Sequence, residues 1–252
     1  MRNAVRPLLA KDIIRVWEKG QGKPYLERAM LLLTAALPDV DRNQLADLTI
    51  GQRDAILLAL RERTLGPTMQ MYARCTQCSE NLEFTVNTSN IRVVETSQEN
   101  SGDKSGEREL THQGFLVRYR LPNSWDLAFV RGLGDVVQAR SQLLQKCVLE
   151  VQYDGAAMTL EDLPCEIVEA LTSRMEEDDP QADILFNVQC PSCGFSWLTI
   201  FDIVPYLWTE ISVAAQRLLV DVHSLARVYG WDQDDILSMS AARRRFYLEI
   251  VG

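Results

Sequence analysis

Four of the six cysteines occur as two Cys-x-x-Cys pairs, at Cys75 and Cys78 and at Cys190 and Cys193. Two-residue spacing lets both sulfurs of a pair face one tetrahedral metal ion from a single turn. Two such turns supply four thiolates, the ligand set of a closed structural zinc site without an open position for catalysis. The sequence therefore predicts one structural Zn²⁺ bound by these four cysteines.

The two pairs are far apart in the chain, since residues 79–189 lie between them. An ordinary zinc ribbon has about 15 to 20 residues there. Apolar and polar residues alternate after each pair, over 82–86 and 195–203, and alternate again over 115–121. This is the period of half-buried strands. We therefore predict a small four-cysteine zinc-ribbon-like β-sheet that carries a large helical insertion.

Other roles of the cysteine pairs stay open at this stage. The same four ligands could hold an iron–sulfur cluster. A thioredoxin-like redox site would need a Cys-x-x-Cys at a helix N-terminus, whereas each pair here precedes a strand. The pairs could also be ordinary core cysteines. Cys147 and Cys165 lie in partly apolar helical segments, which indicates small core residues.

The rest of the chain is predicted to be mainly helical. Apolar periodicity predicts helices in the first seventy residues, over Trp125–Cys147, over Pro164–Met175 and from Pro205 onward. The segment 95–114 is rich in polar residues and glycine, which predicts a flexible loop. The predicted class is α+β, mainly α-helical. Its regions are an N-terminal helical region 1–70, the β module 71–122 with 186–204, the inserted helical subdomain 123–185 and a C-terminal helical region 205–252.

Composition narrows the function classes. The chain has 252 residues, 46% of them hydrophobic, and a net charge of −9. An acidic chain is a poor candidate for nonspecific nucleic-acid binding. Its longest apolar stretch, Ala29–Leu37, cannot span a bilayer, and no signal-peptide pattern is visible. We expect a protein made in the cytoplasm, with no membrane partner.

No pattern in the sequence predicts catalysis. The phosphate-binding GxxxxGK loop, the GxSxG elbow and the HExxH motif are all missing, and the chain has only two histidines. We therefore expect that the protein is not an enzyme. Three consecutive arginines near the C-terminus, which lie either on a solvated helix face or on a surface that contacts a partner, are Arg243, Arg244 and Arg245.

The ordered set of short motifs resembles the T4-family baseplate hub assembly chaperones, also called T4-type phage baseplate proteins. The resemblance covers nearly the whole chain. One departure is the first cysteine turn, Cys-Thr-Gln-Cys, which lacks the proline that such proteins often carry there. The motifs are GQRD at 51–54, LLALR at 57–61, LG at 65–66, the two cysteine pairs, LEF at 82–84, DPxAD at 179–183, CPSCG at 190–194, FDI at 201–203, LWxE at 207–210, VHxLA at 222–226, YGW at 229–231, DIL at 235–237 and RRxYL at 244–248.

The resemblance implies a non-enzymatic role in assembling the baseplate hub of a contractile phage tail or of a related contractile injection system. The implied partners are hub, spike or tape-measure proteins. The implied location is the cytoplasm during assembly, with retention in the mature tail baseplate left open. Two alternatives remain at this stage. One is a zinc-ribbon nucleic-acid-binding or regulatory protein, and the other is an enzyme that uses the zinc or a thiol.

Overall fold

The computed structural model describes residues 4–93 and 106–251. The fold is α+β and mainly helical, as predicted. Within the described ranges, no helix is both long and apolar enough to cross a membrane. The helices are α1 Ala10–Gly20, α2 Tyr25–Ala36, α3 Arg42–Ala46, α4 Ile50–Leu65, α5 Ser124–Val130, α6 Val136–Cys147, α7 Cys165–Asp178, α8 Ile203–Tyr229, α9 Gln233–Ser238 and α10 Ala241–Val251.

Within the described parts of the chain, the strands form three antiparallel sheets. Two are hairpins, β1–β2 and β7–β8, and the third has four strands in the order β3-β4-β5-β6. The strands are β1 Thr68–Arg74, β2 Asn81–Asn87, β3 Glu107–His112, β4 Phe115–Arg120, β5 Val148–Tyr153, β6 Ala156–Met158, β7 Ile184–Gln189 and β8 Ser196–Phe201.

The chain forms two compact units. The first unit contains residues 1–41, 56–68 and 202–252, and the second contains residues 42–55 and 69–201. The two terminal helical regions, predicted as separate, are thus parts of one unit.

The first unit is organised around the long helix α8. The Asp202 side chain caps its N-terminus by accepting a hydrogen bond from the Val204 amide at 2.9 Å. Gly230 ends it in a left-handed conformation. A partly buried ion pair joins α4 to α8, since the buried Arg61 guanidinium donates two hydrogen bonds to Glu210, at 2.9 and 2.7 Å. Helices α1, α2, α9 and α10 pack against α8.

The second unit has a conventional apolar core on one face of its four-stranded sheet. Helix α7 contributes Ile167 and Leu171, both fully buried. They pack with strand residues Val117, Tyr119 and Val151. Alternate positions of each strand face this core, which explains the period-two pattern in the sequence.

The structure differs from the sequence-based boundaries in the segment predicted as a polar loop. Residues 95–105 of that loop lie outside the described residues. The rest of it contains strand β3, which pairs with β4 across a tight turn at Gln113 and Gly114. Both turn residues have positive φ, as a two-residue hairpin of this type requires. Only Leu110 of β3 is partly buried, so the other positions of this strand are exposed and mostly polar. The composition of β3 therefore resembles that of a loop.

Two further predictions are corrected. The predicted helix Trp125–Cys147 is two helices, because the chain turns at residues 131–135 and Asp135 caps a new start. The sequence-based boundaries place strand β4 in the cysteine module. In the structure, β4 pairs with β3 and β5 instead. The inserted subdomain 123–185 therefore contains strands as well as helices, and it shares a sheet with 107–120.

Candidate metal centre

The first cysteine pair lies in the turn between β1 and β2. The Cys75 amide donates a hydrogen bond to the Glu80 carbonyl at 2.8 Å, and the Ser79 amide donates one to the Cys75 carbonyl at 3.0 Å. Ser79 has a φ of 62°, in the left-handed region. This closes a tight loop in which Cys75 and Cys78 lie on the same side.

The second pair lies in the equivalent turn between β7 and β8. The Cys190 amide donates to the Phe195 carbonyl at 2.8 Å, and the Gly194 amide donates to the Cys190 carbonyl at 2.9 Å. Gly194 has a φ of 75°. The hydrogen bonds have the same sequence offsets as in the first turn, so the two cysteine turns share one backbone geometry.

The two turns bring the four sulfur atoms into one cluster. All four lie within 4.8 Å of one another. The Sγ atoms of Cys75 and Cys193 are 3.7 Å apart, and those of Cys78 and Cys190 are 3.6 Å apart. A tetrahedral ion with metal–sulfur bonds of about 2.3 Å places its ligands about 3.8 Å apart. The cluster therefore fits a single metal ion.

The same distances bear on the other interpretations of the cysteines. All six cysteines are free, and the two sulfur–sulfur distances given above are far beyond a disulfide bond. Each Cys-x-x-Cys pair connects two strands, unlike a redox pair at a helix start. An iron–sulfur cluster would bind its cysteines through different iron atoms and so spread the sulfurs further apart. The geometry thus favours a mononuclear centre.

The cluster is half enclosed by protein. Cys75 and Cys190 are buried, while Cys78 and Cys193 are exposed. The first residue of each pair follows directly on a strand, so its side chain points inward. This order gives each turn one inner and one outer thiol, and together they surround a central position with four sulfur ligands.

The pKa values of the thiols differ within the cluster. The Cys78 amide donates to Cys75 Sγ at 3.5 Å, and this hydrogen bond lowers the pKa of Cys75 to about 6. At Cys78 the Glu80 amide favours the thiolate, but burial and the three neighbouring thiols outweigh it and raise the pKa to about 12. Four adjacent thiolates repel one another, so full ionisation requires a positive charge among them.

The remaining cysteines do not join the cluster. Cys147 is fully buried at the end of α6, as predicted, and burial raises the pKa of its thiol to about 11. The prediction of Cys165 as a core residue is wrong, since this residue is exposed. It begins α7 and follows Pro164, so the apolar face of that helix starts only at Ile167.

The three C-terminal arginines have different surroundings. Arg244 is buried, and its Nε donates to Asp221 at 3.1 Å. Arg243 and Arg245 are exposed, and the Arg243 guanidinium lies 5.8 Å from the ring centre of Tyr247. The consecutive arginines therefore do not form one uniform surface, and their predicted contact with a partner stays a prediction.

Sequence reasoning missed the strands that deliver the cysteines to the turns. Strand β1 carries Met69 and Met71 on its inner face, and β7 carries Ile184, Phe186 and Val188 on its inner face. This alternation was present in the sequence before both turns. Phe84 of β2 and Phe186 of β7 meet edge to face, with ring centres 6.4 Å apart. The two hairpins thus contact each other through these rings as well as at the sulfurs.

Comparison with known families identifies the class of protein. Residues 11–208 match the family model described as T4 bacteriophage base plate protein. This is well over half of the chain, and the chain belongs to that family. The membership gives the protein a structural or assembly role in a phage-tail baseplate. A search of curated proteins and a search of solved structures found no match.

Proposed function

We propose that the protein is a non-enzymatic assembly chaperone or structural component of the baseplate hub in a contractile tail or contractile injection system. The observation that carries the proposal is the family match over residues 11–208. The order of the short motifs along the chain resembles that of baseplate hub assembly chaperones, and this resemblance supports the hub assembly role. The proposed partners are hub, spike or tape-measure proteins, which the protein would meet in the cytoplasm during assembly.

The metal proposed for the four-cysteine cluster is one zinc ion. Zinc favours tetrahedral coordination by thiolates, and the sulfur distances match that geometry. Zinc would neutralise the thiolates and hold the hairpins β1–β2 and β7–β8 together. With four protein ligands in place, no position is left for a water or a substrate, which supports a structural rather than a catalytic ion.

Co-expression with the neighbouring baseplate proteins tests the function. The expected result of native mass spectrometry is a defined complex with a hub, spike or tape-measure subunit that contains one zinc per copy of this chain. A zinc-loaded chain that joins none of these proteins would contradict the proposal. Salt-dependent binding of that chain to DNA would favour the regulatory alternative instead.

A further inference from the structure

The first unit contains a wide groove of about 1050 Å³. Its walls are the segment before α1, helix α1 itself, one face of α8 and the connection between α9 and α10. This volume is at the upper end of ordinary ligand pockets, and the groove is open to solvent rather than enclosed. It can therefore accept an extended row of side chains.

The groove has a positive charge in an acidic protein. Five cations and two carboxylates line it, whereas the whole chain has a net charge of −9. The carboxylates are Asp12 and Asp221. The cations, which come from both ends of the chain, are Arg6, Lys11, Arg15, Arg217 and Arg244.

The acidic residues of the groove neutralise only part of this charge. Asp12 is buried and binds two guanidiniums, those of Arg6 at 3.6 Å and of Arg15. Asp221 pairs with the buried Arg244. Arg217 is exposed, and within the described part of the chain it has no ion-pair partner. Lys11 pairs with the highly exposed Asp234 at 3.3 Å, and such a surface pair contributes little.

Aliphatic side chains lie between these charges. Leu9 is 67% exposed, although it stands beside the buried Leu8 and Ile13. Leu218 and Leu237 are buried lining residues of the opposite wall. A partner that covers Leu9 would remove its exposed apolar area from water and so gain binding energy.

We propose that this groove binds an acidic amphipathic segment of a partner protein. Aliphatic side chains of the segment would cover Leu9, and its carboxylates would pair with Arg15 and Arg217. Charge complementarity makes an acidic segment the occupant. The inference rests on the proposed function only in assigning that segment to a baseplate protein.

The lining disfavours nucleic acid as the occupant. Single-stranded nucleic acids bind to cationic grooves in which aromatic side chains stack on the bases. Among the described residues that line this groove, none is aromatic. The aliphatic side chains that line the groove suit leucine-like side chains of a peptide helix better than they suit bases.

A labelled synthetic peptide tests the groove directly. The probe is an amphipathic helix of about 15 residues, close to the minimum length for an isolated helix, with leucines on one face and glutamates on the other. We expect saturable binding to the full-length zinc-loaded protein, measured by fluorescence anisotropy. Salt at roughly 1 M should abolish most of it, since the screening length falls to ~3 Å. The same peptide with lysines in place of the glutamates should not bind.

Two matched variants locate the binding. Arg217→Glu reverses an exposed charge in the groove and should weaken binding roughly tenfold. Arg227→Glu makes the same change on an exposed residue of the same helix outside the groove, and it should leave binding unchanged. Melting curves of both variants confirm that the fold is intact. No saturation at about 1 mM peptide, equal losses in both variants, or competition by a single-stranded oligonucleotide would overturn the proposal.

The co-expression experiment separates this inference from the proposed function. If the wild-type chain binds the peptide but joins no baseplate protein, the proposed function fails and the groove assignment stands. If a baseplate complex forms and Arg217→Glu leaves both peptide and complex unaffected, the groove assignment fails and the function stands.

Discussion

The second unit contains two kinds of β structure that are stabilised in different ways. The cysteine hairpins, β1–β2 and β7–β8, meet at four sulfur atoms. The four-stranded sheet β3–β6 packs instead against α7 through a core of fully buried apolar side chains. Both are antiparallel and most of their strands are similar in length, so they differ mainly in the interactions that stabilise them.

The two structures differ in what covers their inward side chains, since a helix packs on the sheet. In the sheet, Val117 and Tyr119 are completely buried under Ile167 and Leu171 of α7. In the hairpins, Met69, Val188 and Phe201 are buried, whereas the other inward residues are only half-buried. An isolated two-stranded hairpin is marginal in water. We infer that the metal supplies to the hairpins the stability that the apolar core supplies to the sheet.

The largest expected effect is the loss of a buried metal ligand. Cys190→Ser should remove the metal and unfold the cysteine hairpins, because zinc binding contributes about 10–16 kcal/mol to comparable structural sites. Metal analysis and amide hydrogen exchange of β1, β2, β7 and β8 measure this. Cys165→Ser, at an exposed cysteine outside the cluster, is the matched control and should retain one metal ion per chain. Full metal content in Cys190→Ser would contradict the account.

A truncation in the core of the four-stranded sheet should destabilise the sheet but leave the metal site intact. Leu171→Ala removes a fully buried side chain from the sheet core and should lower the free energy of unfolding by about 2–5 kcal/mol. Metal content should stay at one ion per chain, since the cysteine turns are not part of that core. Urea unfolding followed by metal analysis checks both parts. Loss of metal from Leu171→Ala without urea, or metal release that moves to lower urea together with the unfolding of the sheet, would show that the two parts are not independent.

A smaller contrast distinguishes the two cysteine turns from each other. Gly194 and Ser79 occupy equivalent left-handed positions, but only glycine is unstrained there. Gly194→Ala should therefore destabilise the hairpins by about 1 kcal/mol, and Ser79→Gly should stabilise them by up to about 1 kcal/mol. Metal release by a competing chelator is the readout. Changes of the same sign in both variants would refute the equivalence of the turns.

The smallest expected effect concerns the stability at low pH of the region around Asp126, which lies outside the cysteine hairpins. Burial alone would raise the pKa of Asp126, but hydrogen bonds from Arg120, at 2.6 and 2.8 Å, and from the Asn123 amide outweigh it and lower that pKa. A lowered carboxyl pKa stabilises the fold at neutral pH, and this contribution disappears as the pH falls below about 4. With chelator present, Asp126→Asn should lose less stability between pH 5 and pH 3 than the wild type does. Equal losses in urea titrations would argue against this role.

The sequence predicts some parts of the molecule well and others poorly, for physical reasons. The clustering of Cys75, Cys78, Cys190 and Cys193 could be predicted because two-residue spacing is a local requirement of metal-binding turns. The helix break at 131–135 was less visible, since Gly132 and Gly134 are tolerated in helices at moderate cost. Asp135 caps the start of the second helix. Because aspartate is common and has many other roles, this residue alone did not predict the break.

Long-range pairing explains the remaining errors. The alternation of Phe115–Leu121 showed a strand but could not show that its neighbour is Val148–Tyr153 rather than a cysteine hairpin. Strand β3 looked like a loop because only Leu110 is partly buried. The cationic groove combines Arg6 with Arg217 and Arg244, residues that only the packing of α1, α8 and α10 brings together.

Zinc-edge X-ray absorption on the purified full-length chain tests the central claim most directly. The account predicts one zinc per chain with four sulfur neighbours at about 2.3 Å and none from nitrogen or oxygen. A zinc shell with water or imidazole, or a folded chain that binds no metal, would contradict the assignment of the four cysteines as the structural centre of the hairpins.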